Sequence, residues 1–259
     1  GLTLPSADEQ WLSGFSSGLL GAAEQFGCSL VGGDTTRGPL SISITAIGEV
    51  PSGEPVRRSG AKPGDVLYVT GCLGDGQVAL HHLDFDAAES TAHQSALAVA
   101  GHKSARKDLT PEDNAYLHRR FFRPEPRLAF ADLARNLMSS AIDVSDGLHA
   151  DAGHLAKTSA VRLRINLDQL PFSQSVLRLT SEAERVNAAL YGGDDYELCF
   201  TAETACRSQI DAVAASAGLR VTAIGEVKHG SGVSLFDRGV AAPANHQRGF
   251  DHFSRVDPR

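Results

Sequence analysis

The sequence predicts an α+β chain in two lobes, and three observations carry that prediction. Strand-like alternation and helical spacing are interleaved without the strict β-α-β order of a doubly wound sheet. Hydrophobic residues fill 42% of the 259 positions and charged residues 21%, which supplies a sizeable core and excludes disorder as the main state. Pro51, Gly53, Pro55, Gly60, Pro63 and Gly64 crowd one short stretch, which predicts a junction between a first lobe over residues 1–55 and a second over 56–259. No internal repeat is present.

The elements follow in order. Gly1-Leu2-Thr3-Leu4-Pro5 is expected to lead straight into a helix. Ser6 and Glu9 have capping-box spacing, and Trp11, Leu12, Phe15, Leu19, Ala22 and Phe26 then recur at helical intervals until Gly27 offers a stop. Residues 29–31 read as a short strand ending in the turn Gly32-Gly33-Asp34. Leu40, Ile42, Ile44 and Ala46 alternate with Ser and Thr, which predicts a half-buried strand to about residue 50. Past the junction, 66–70 reads as a strand, and Gly71, Gly74 and Gly76 turn it into a helix over 77–83. Residues 84–114 are polar and rich in Ala and Ser, and read as a surface insertion or a loosely packed helix. Helices are then expected over 128–138, 149–158, 181–190 and 204–217. Strands are expected over 141–144, 161–167, 196–201, 221–227 and 233–236.

Charge and cysteine usage narrow the function classes. Lys and Arg number 24 against 31 Asp and Glu, a formal net charge of −7, which argues against a nucleic-acid partner. Cys28, Cys72, Cys199 and Cys206 have neither C-x-x-C spacing nor a His cluster beside them, so a zinc site or a disulfide framework is not expected. A reduced, cytoplasmic protein is the reading this favours. No stretch approaches the ~20 apolar residues of a membrane-spanning helix, and no signal peptide is visible.

Three acidic clusters sit on glycine turns: Gly32-Gly33-Asp34-Thr35-Thr36-Arg37-Gly38, Asp143-Val144-Ser145-Asp146-Gly147 and Gly192-Gly193-Asp194-Asp195-Tyr196-Glu197. Hard cations such as Mg²⁺ take oxygen ligands, commonly one or two carboxylates with water and phosphate oxygens completing the shell. Asp143 and Asp146 are spaced to share such an ion, and Ser145 offers a hydroxyl or an amide to a phosphate. Each turn also has a plainer account. Ser145 or Asp146 is an ordinary N-cap candidate, and Asp34 beside Gly33 an ordinary turn former. Gly71-Cys72-Leu73-Gly74-Asp75-Gly76 hints at a phosphate loop but lacks the Gly-Lys-Ser/Thr ending, and reads as a tight strand-to-helix turn. The ten His residues show no ligand spacing, and Arg119, Arg120 and Arg123 read as a solvated helix end.

Five ordered strings go further: Leu-Val-Gly-Gly-Asp-Thr-Thr-Arg-Gly-Pro-Leu (30–40), Arg-Ser-Gly-Ala-Lys-Pro-Gly-Asp (58–65), Ala-Ile-Asp-Val-Ser-Asp-Gly-Leu (141–148), Gly-Gly-Asp-Asp-Tyr-Glu-Leu-Cys-Phe (192–200) and Gly-Phe-Asp-His-Phe (249–253). In these strings, from residue 1 to about 253, the chain resembles the thiamine-monophosphate kinase family of the aminoimidazole-ribonucleotide synthetase-like superfamily. The resemblance implies that superfamily's two-lobe fold and ATP- and Mg²⁺-dependent phosphorylation of thiamine monophosphate to thiamine diphosphate. The nucleophile would be a phosphate oxygen already ionised at neutral pH, so no side chain is assigned as a catalytic base. By the same resemblance Asp34, Asp143 and Asp146 would hold Mg²⁺. Gly33, Asp34, Arg58 and Ser145 would meet ATP, and Asp194 and Phe250 would meet thiamine monophosphate. Asp194 stands where the family usually has Glu, which shortens the reach by one methylene.

The resemblance also implies a homodimer whose first-lobe strands pair between chains, with 40–50 at the interface. Family members carry a further N-terminal stretch with additional Mg²⁺ ligands, so the first lobe is expected to be incomplete and the chain truncated, folded and catalytically impaired. Two other readings compete: another ATP-using enzyme of the superfamily, and a non-catalytic nucleotide-binding or dimerisation fragment.

Overall fold

The computed structural model describes residues 1–83 and 107–242. Two compact units divide the chain, Gly1–Pro51 and Ser52–Arg259, and each is taken on its own. In the first, strand β1 (Leu2–Leu4) pairs parallel with β2 (Thr35–Arg37) and antiparallel with β3 (Ser41–Ile42). Helix α1 (Glu9–Gln25) stands between β1 and β2. Its N-cap is Asp8, whose carboxylate accepts the Trp11 N–H at 3.0 Å, so Asp8 rather than the expected Ser6 caps it. The helix stops as expected in a Schellman arrangement, with the Gly27 N–H donating to the Glu24 carbonyl and the Cys28 N–H to that of Ala23.

The strands of this unit depart from expectation. Residues 29–31 are not a strand, and Gly32-Gly33-Asp34 leads into β2 instead of ending one. Of 40–50 only Ser41–Ile42 pairs, and β1 occupies the place where direct entry into a helix was expected. Alternation makes a face, but a strand also needs a hydrogen-bonded neighbour. β3 finds one only opposite Leu2 and Thr3, so its pairing ends there.

In the larger unit, period-two alternation builds a sheet with two apolar faces. Its strands are β4 (Val66–Thr70), β5 (Ser140–Val144), β6 (Arg162–Asn166), β7 (Glu197–Ala202), β8 (Val221–Lys228), β9 (Gly232–Asp237) and β10 (Val240–Ala241). Their order is β10-β9-β6-β8-β4-β7-β5, antiparallel throughout except for β6 beside β9. Leu67 and Val69 of β4, Ile142 and Val144 of β5 and Cys199 of β7 pack in one core with Leu148, Ala152, Leu155, Ala189 and Leu190. Those partners come from helices α5 (Leu148–Ser159) and α7 (Glu182–Tyr191). Tyr68, Phe200 and Ala202 pack on the opposite face with Phe130, Ala134, Ile210 and Ala214. These belong to α4 (Leu128–Ala134) and α8 (Arg207–Ser216).

A smaller core joins α2 (Asp75–His82), α3 (Pro111–Phe122) and α6 (Gln174–Leu179) to Ala188 of α7. The mixed, layered α+β architecture is therefore the one expected. Helix α3 is a correction to the loose reading of 84–114. Thr110 and Asp113 cap it reciprocally and Pro111 opens it, while residues 84–106 lie outside the described ones. The short elements α6 and β10 were not anticipated. Among the described residues no helix is long and apolar enough to cross a membrane.

Candidate active site

Because β5 and β7 pair antiparallel with Val144 opposite Glu197, the turn that leaves β5 lies beside the turn that enters β7. The two turns are joined by their backbones. The Tyr196 N–H donates to the Val144 carbonyl at 2.8 Å and the Asp194 N–H to the Ser145 carbonyl at 3.0 Å. Glycine permits this approach. A Cβ on Gly193 would stand 2.5 Å from the Ser145 carbonyl oxygen, and one on Gly147 would stand 2.8 Å from that of Leu190. Asp194 and Tyr196 adopt left-handed φ values of 67° and 50°, a cost a non-glycine residue bears where the surroundings impose it.

This brings Asp143, Ser145, Asp146 and Asp194 together in one unit. Asp143 and Asp146 are exposed, and neither carboxylate hydrogen-bonds or ion-pairs with a described residue. The Tyr196 hydroxyl donates to Asp194 Oδ1 at 3.0 Å. Its pKa is pushed up to about 12, first by burial and then by Asp194, with Asp143 and Asp146 adding to the effect. The N-cap of α5 is Gly147 and carries no side-chain hydrogen bond, so neither Ser145 nor Asp146 serves as the ordinary helix cap. The amides of Ser145 and Asp146 instead donate to Asp151 Oδ2 at 3.0 and 3.1 Å. Burial, followed by Asp146 and Asp143, pushes the Asp151 carboxyl above its ordinary range, and the two amides oppose that shift.

Behind the turns lies a buried ionic network that sequence reading missed. Asp195 accepts the Gly74 and Gly76 amides at 2.7 and 3.0 Å, one on each oxygen. Those amides belong to the 71–76 turn, so it is the tight turn expected, with these donors already engaged. Asp195 is pushed up to about 8, above all by burial and then by Asp75. Arg120 sits 3.2 Å from Asp75 Oδ2 and 3.1 Å from Glu197 Oε1, and donates to the Asp195 carbonyl at 2.9 Å. Arg127 holds Glu197 through Nε at 2.8 Å and Nη2 at 2.6 Å. Tyr116 and Ser173 each donate to Asp75 at 2.6 Å. Arg120 is only 9% exposed, which corrects its reading as part of a solvated helix end. An arginine run does not reveal its partners 45 and 75 residues away.

Arg58 is exposed in the coil before β4. Its backbone is fixed, since the Thr158 hydroxyl donates to its carbonyl at 2.9 Å and the neighbouring Arg57 carbonyl accepts the Ala141 amide of β5. Gly33 and Asp34 belong to the first unit, where Asp34 Oδ1 accepts the Thr35 N–H at 2.9 Å, in keeping with a turn-forming role. Phe250 lies outside the described residues. Among the described residues no group of three or more His, Cys, Asp or Glu side chains is placed to hold a metal ion.

Residues 1–50 match the N-terminal domain and 62–238 the C-terminal domain of AIR synthase related proteins. The chain is 40% identical over 253 residues to the thiamine-monophosphate kinase of Escherichia coli strain K12, covering 98% of this chain and 72% of that protein. The crystal structure of thiamine-monophosphate kinase from Stenotrophomonas maltophilia superposes with a TM-score of 0.79 at 40% identity, over 93% of this chain and 71% of that one. The structure of AaThiL complexed with AMPPCP and TMP gives 0.69 at 26% identity, over 97% and 72%. On these grounds the chain belongs to the thiamine-monophosphate kinase family.

Proposed function

We propose that this chain is a kinase that transfers the terminal phosphoryl group of ATP to thiamine monophosphate, giving thiamine diphosphate. The observation that carries the reading is the pair of joined turns, which gather the exposed carboxylates of Asp143 and Asp146 beside the segment that carries Asp194, over a buried ionic network. The AaThiL complex with an ATP analogue and TMP supports both substrates. Asp143 and Asp146 fit Mg²⁺, which needs only one or two protein carboxylates when phosphates and water complete its shell. When bound, Mg²⁺ supplies charge neutralisation between two polyanionic substrates.

The chain's own groups bind and orient. With its amide engaged by Asp151, Ser145 meets ATP through its hydroxyl. Arg58 offers a planar fork to ATP phosphate. Asp194, clamped by Tyr196, is assigned to thiamine monophosphate, and the sequence resemblance assigns Phe250 to the same substrate. In the first unit Asp34 is assigned to Mg²⁺ and Gly33 to the nucleotide. Residues 1–55 form the metal-binding and dimerisation lobe, and 56–259 the C-terminal lobe. A cytoplasmic location is the reading that the spacing of the four cysteines favours. With ATP and Mg²⁺ present, ADP release should depend on thiamine monophosphate and match the thiamine diphosphate formed. ADP release indifferent to that substrate would overturn the assignment.

The protein is read as a homodimer that associates through its first unit. Helix α1 buries none of its residues, and Ile44 and Ile47 are 70% and 89% exposed. A second copy of the chain covers such a surface. Ile44→Asp with Ile47→Asp should weaken the dimer roughly 10–100-fold, as expected when buried branched side chains are lost. Light scattering against concentration measures this, and an unchanged dimer would remove this face from the interface.

A further inference from the structure

We propose that Asp151 is a positioning residue: its buried carboxylate fixes the 145–146 backbone so that Asp143 and Asp146 are presented to the cation. This rests on the reading of Asp143 and Asp146 as metal ligands. Asp151 is 3% exposed and lies in the first turn of α5. Helical side chains tilt toward the N-terminus, so a residue there covers the turn that precedes the helix. Its Oδ2 accepts the Ser145 N–H at 3.0 Å and the Asp146 N–H at 3.1 Å.

Neither bond supports the helix itself. The Ala150 and Asp151 amides go to the Gly147 carbonyl, and both Asp151 bonds reach residues outside α5. From the other side the Ser145 carbonyl takes the Asp194 N–H at 3.0 Å. Both backbone polar groups of Ser145 are therefore engaged, and the turn is held between Asp151 and the 192–197 segment. A carboxylate buried close to Asp143 and Asp146 is unfavourably placed by charge alone. It is well placed by geometry, because two adjacent amides converge on one of its oxygens.

Position and charge predict opposite results for two variants. Asp151→Asn keeps an oxygen that accepts both amides and loses the charge. Asp151→Glu keeps the charge and moves the oxygens by a methylene. The probe is Mn²⁺ binding to the full chain, followed by electron paramagnetic resonance without nucleotide, beside amide hydrogen exchange at 145 and 146. If Asp151 positions the turn, Asn binds Mn²⁺ within about threefold of the parent. Glu binds roughly 10–100-fold more weakly, as supporting partners of metal ligands do when altered, and exchanges faster at 145 and 146. Asp151→Ala, which leaves both amides unpaired, should behave like Glu and serves in its place should Glu fail to fold. Parent-like binding by Glu with weak binding by Asn would overturn the proposal in favour of charge. Parent-like binding by all three would also overturn it. Asp143→Asn and Asp146→Asn are the separate control: if both bind Mn²⁺ like the parent, the metal reading itself fails.

Discussion

Replacing Asp143 or Asp146 with Asn is expected to lower turnover by roughly 10²–10³-fold, the scale seen when one preorganised group that stabilises transition-state charge is removed. Folding should be nearly unaffected. Both side chains are exposed and neither carboxylate hydrogen-bonds or ion-pairs with a described residue, so their loss breaks no hydrogen bond or ion pair among the described residues. The substitution removes a charge without changing size. Had either carboxylate capped α5, the loss would appear as about 1 kcal/mol of stability instead. The cap is Gly147, so the two accounts separate cleanly. Turnover at saturating ATP and thiamine monophosphate, as a function of Mg²⁺ and beside thermal unfolding, makes the measurement. Parent-like turnover with a lowered unfolding temperature would return these residues to a structural role.

How much could be read beforehand depended on whether the signal was local. The central strands 66–70, 141–144 and 221–227 were visible because alternate residues must satisfy two faces, and both faces are covered here. The acidic turns were visible because Gly beside Asp marks a bend at which carboxylates gather. Helix α3 was legible by the same local rules. Thr110-Pro111-Glu112-Asp113 is a cap with Pro at the first turn, hidden at the end of a polar stretch. The first unit was poorly read because residues 40–50 alternate yet find a partner only at Ser41–Ile42. Asp151 and Tyr196 escaped notice because their importance lies in which groups they touch. The Gly74–Asp195 bond spans 121 residues, and no residue near either end announces it.

Arg120→Met is the change expected to cost the larger unit most. Arg120 is 9% exposed, and its guanidinium sits between Asp75 and Glu197, both fully buried. Methionine matches much of the stem and supplies neither charge nor donors. Asp75 would keep the Tyr116 and Ser173 hydroxyls, and Glu197 would keep Arg127 and Thr70. The Asp195 carbonyl would lose the Arg120 donor, and two buried carboxylates would share less compensating charge. Removing one partner of a buried pair costs about 3–5 kcal/mol, which for a unit of this size lowers Tm by roughly 10 °C. The effect should reach the site, because Asp195 and Glu197 flank Tyr196 and anchor the segment that carries Asp194. Arg120→Lys should recover little, since one ammonium cannot span Asp75, Glu197 and the Asp195 carbonyl together. Urea unfolding of the three proteins, with the Michaelis constant for thiamine monophosphate on each, tests both parts. Parent-like stability in Arg120→Met would mean that Arg127 alone neutralises Glu197 and that the network does not hold the turn.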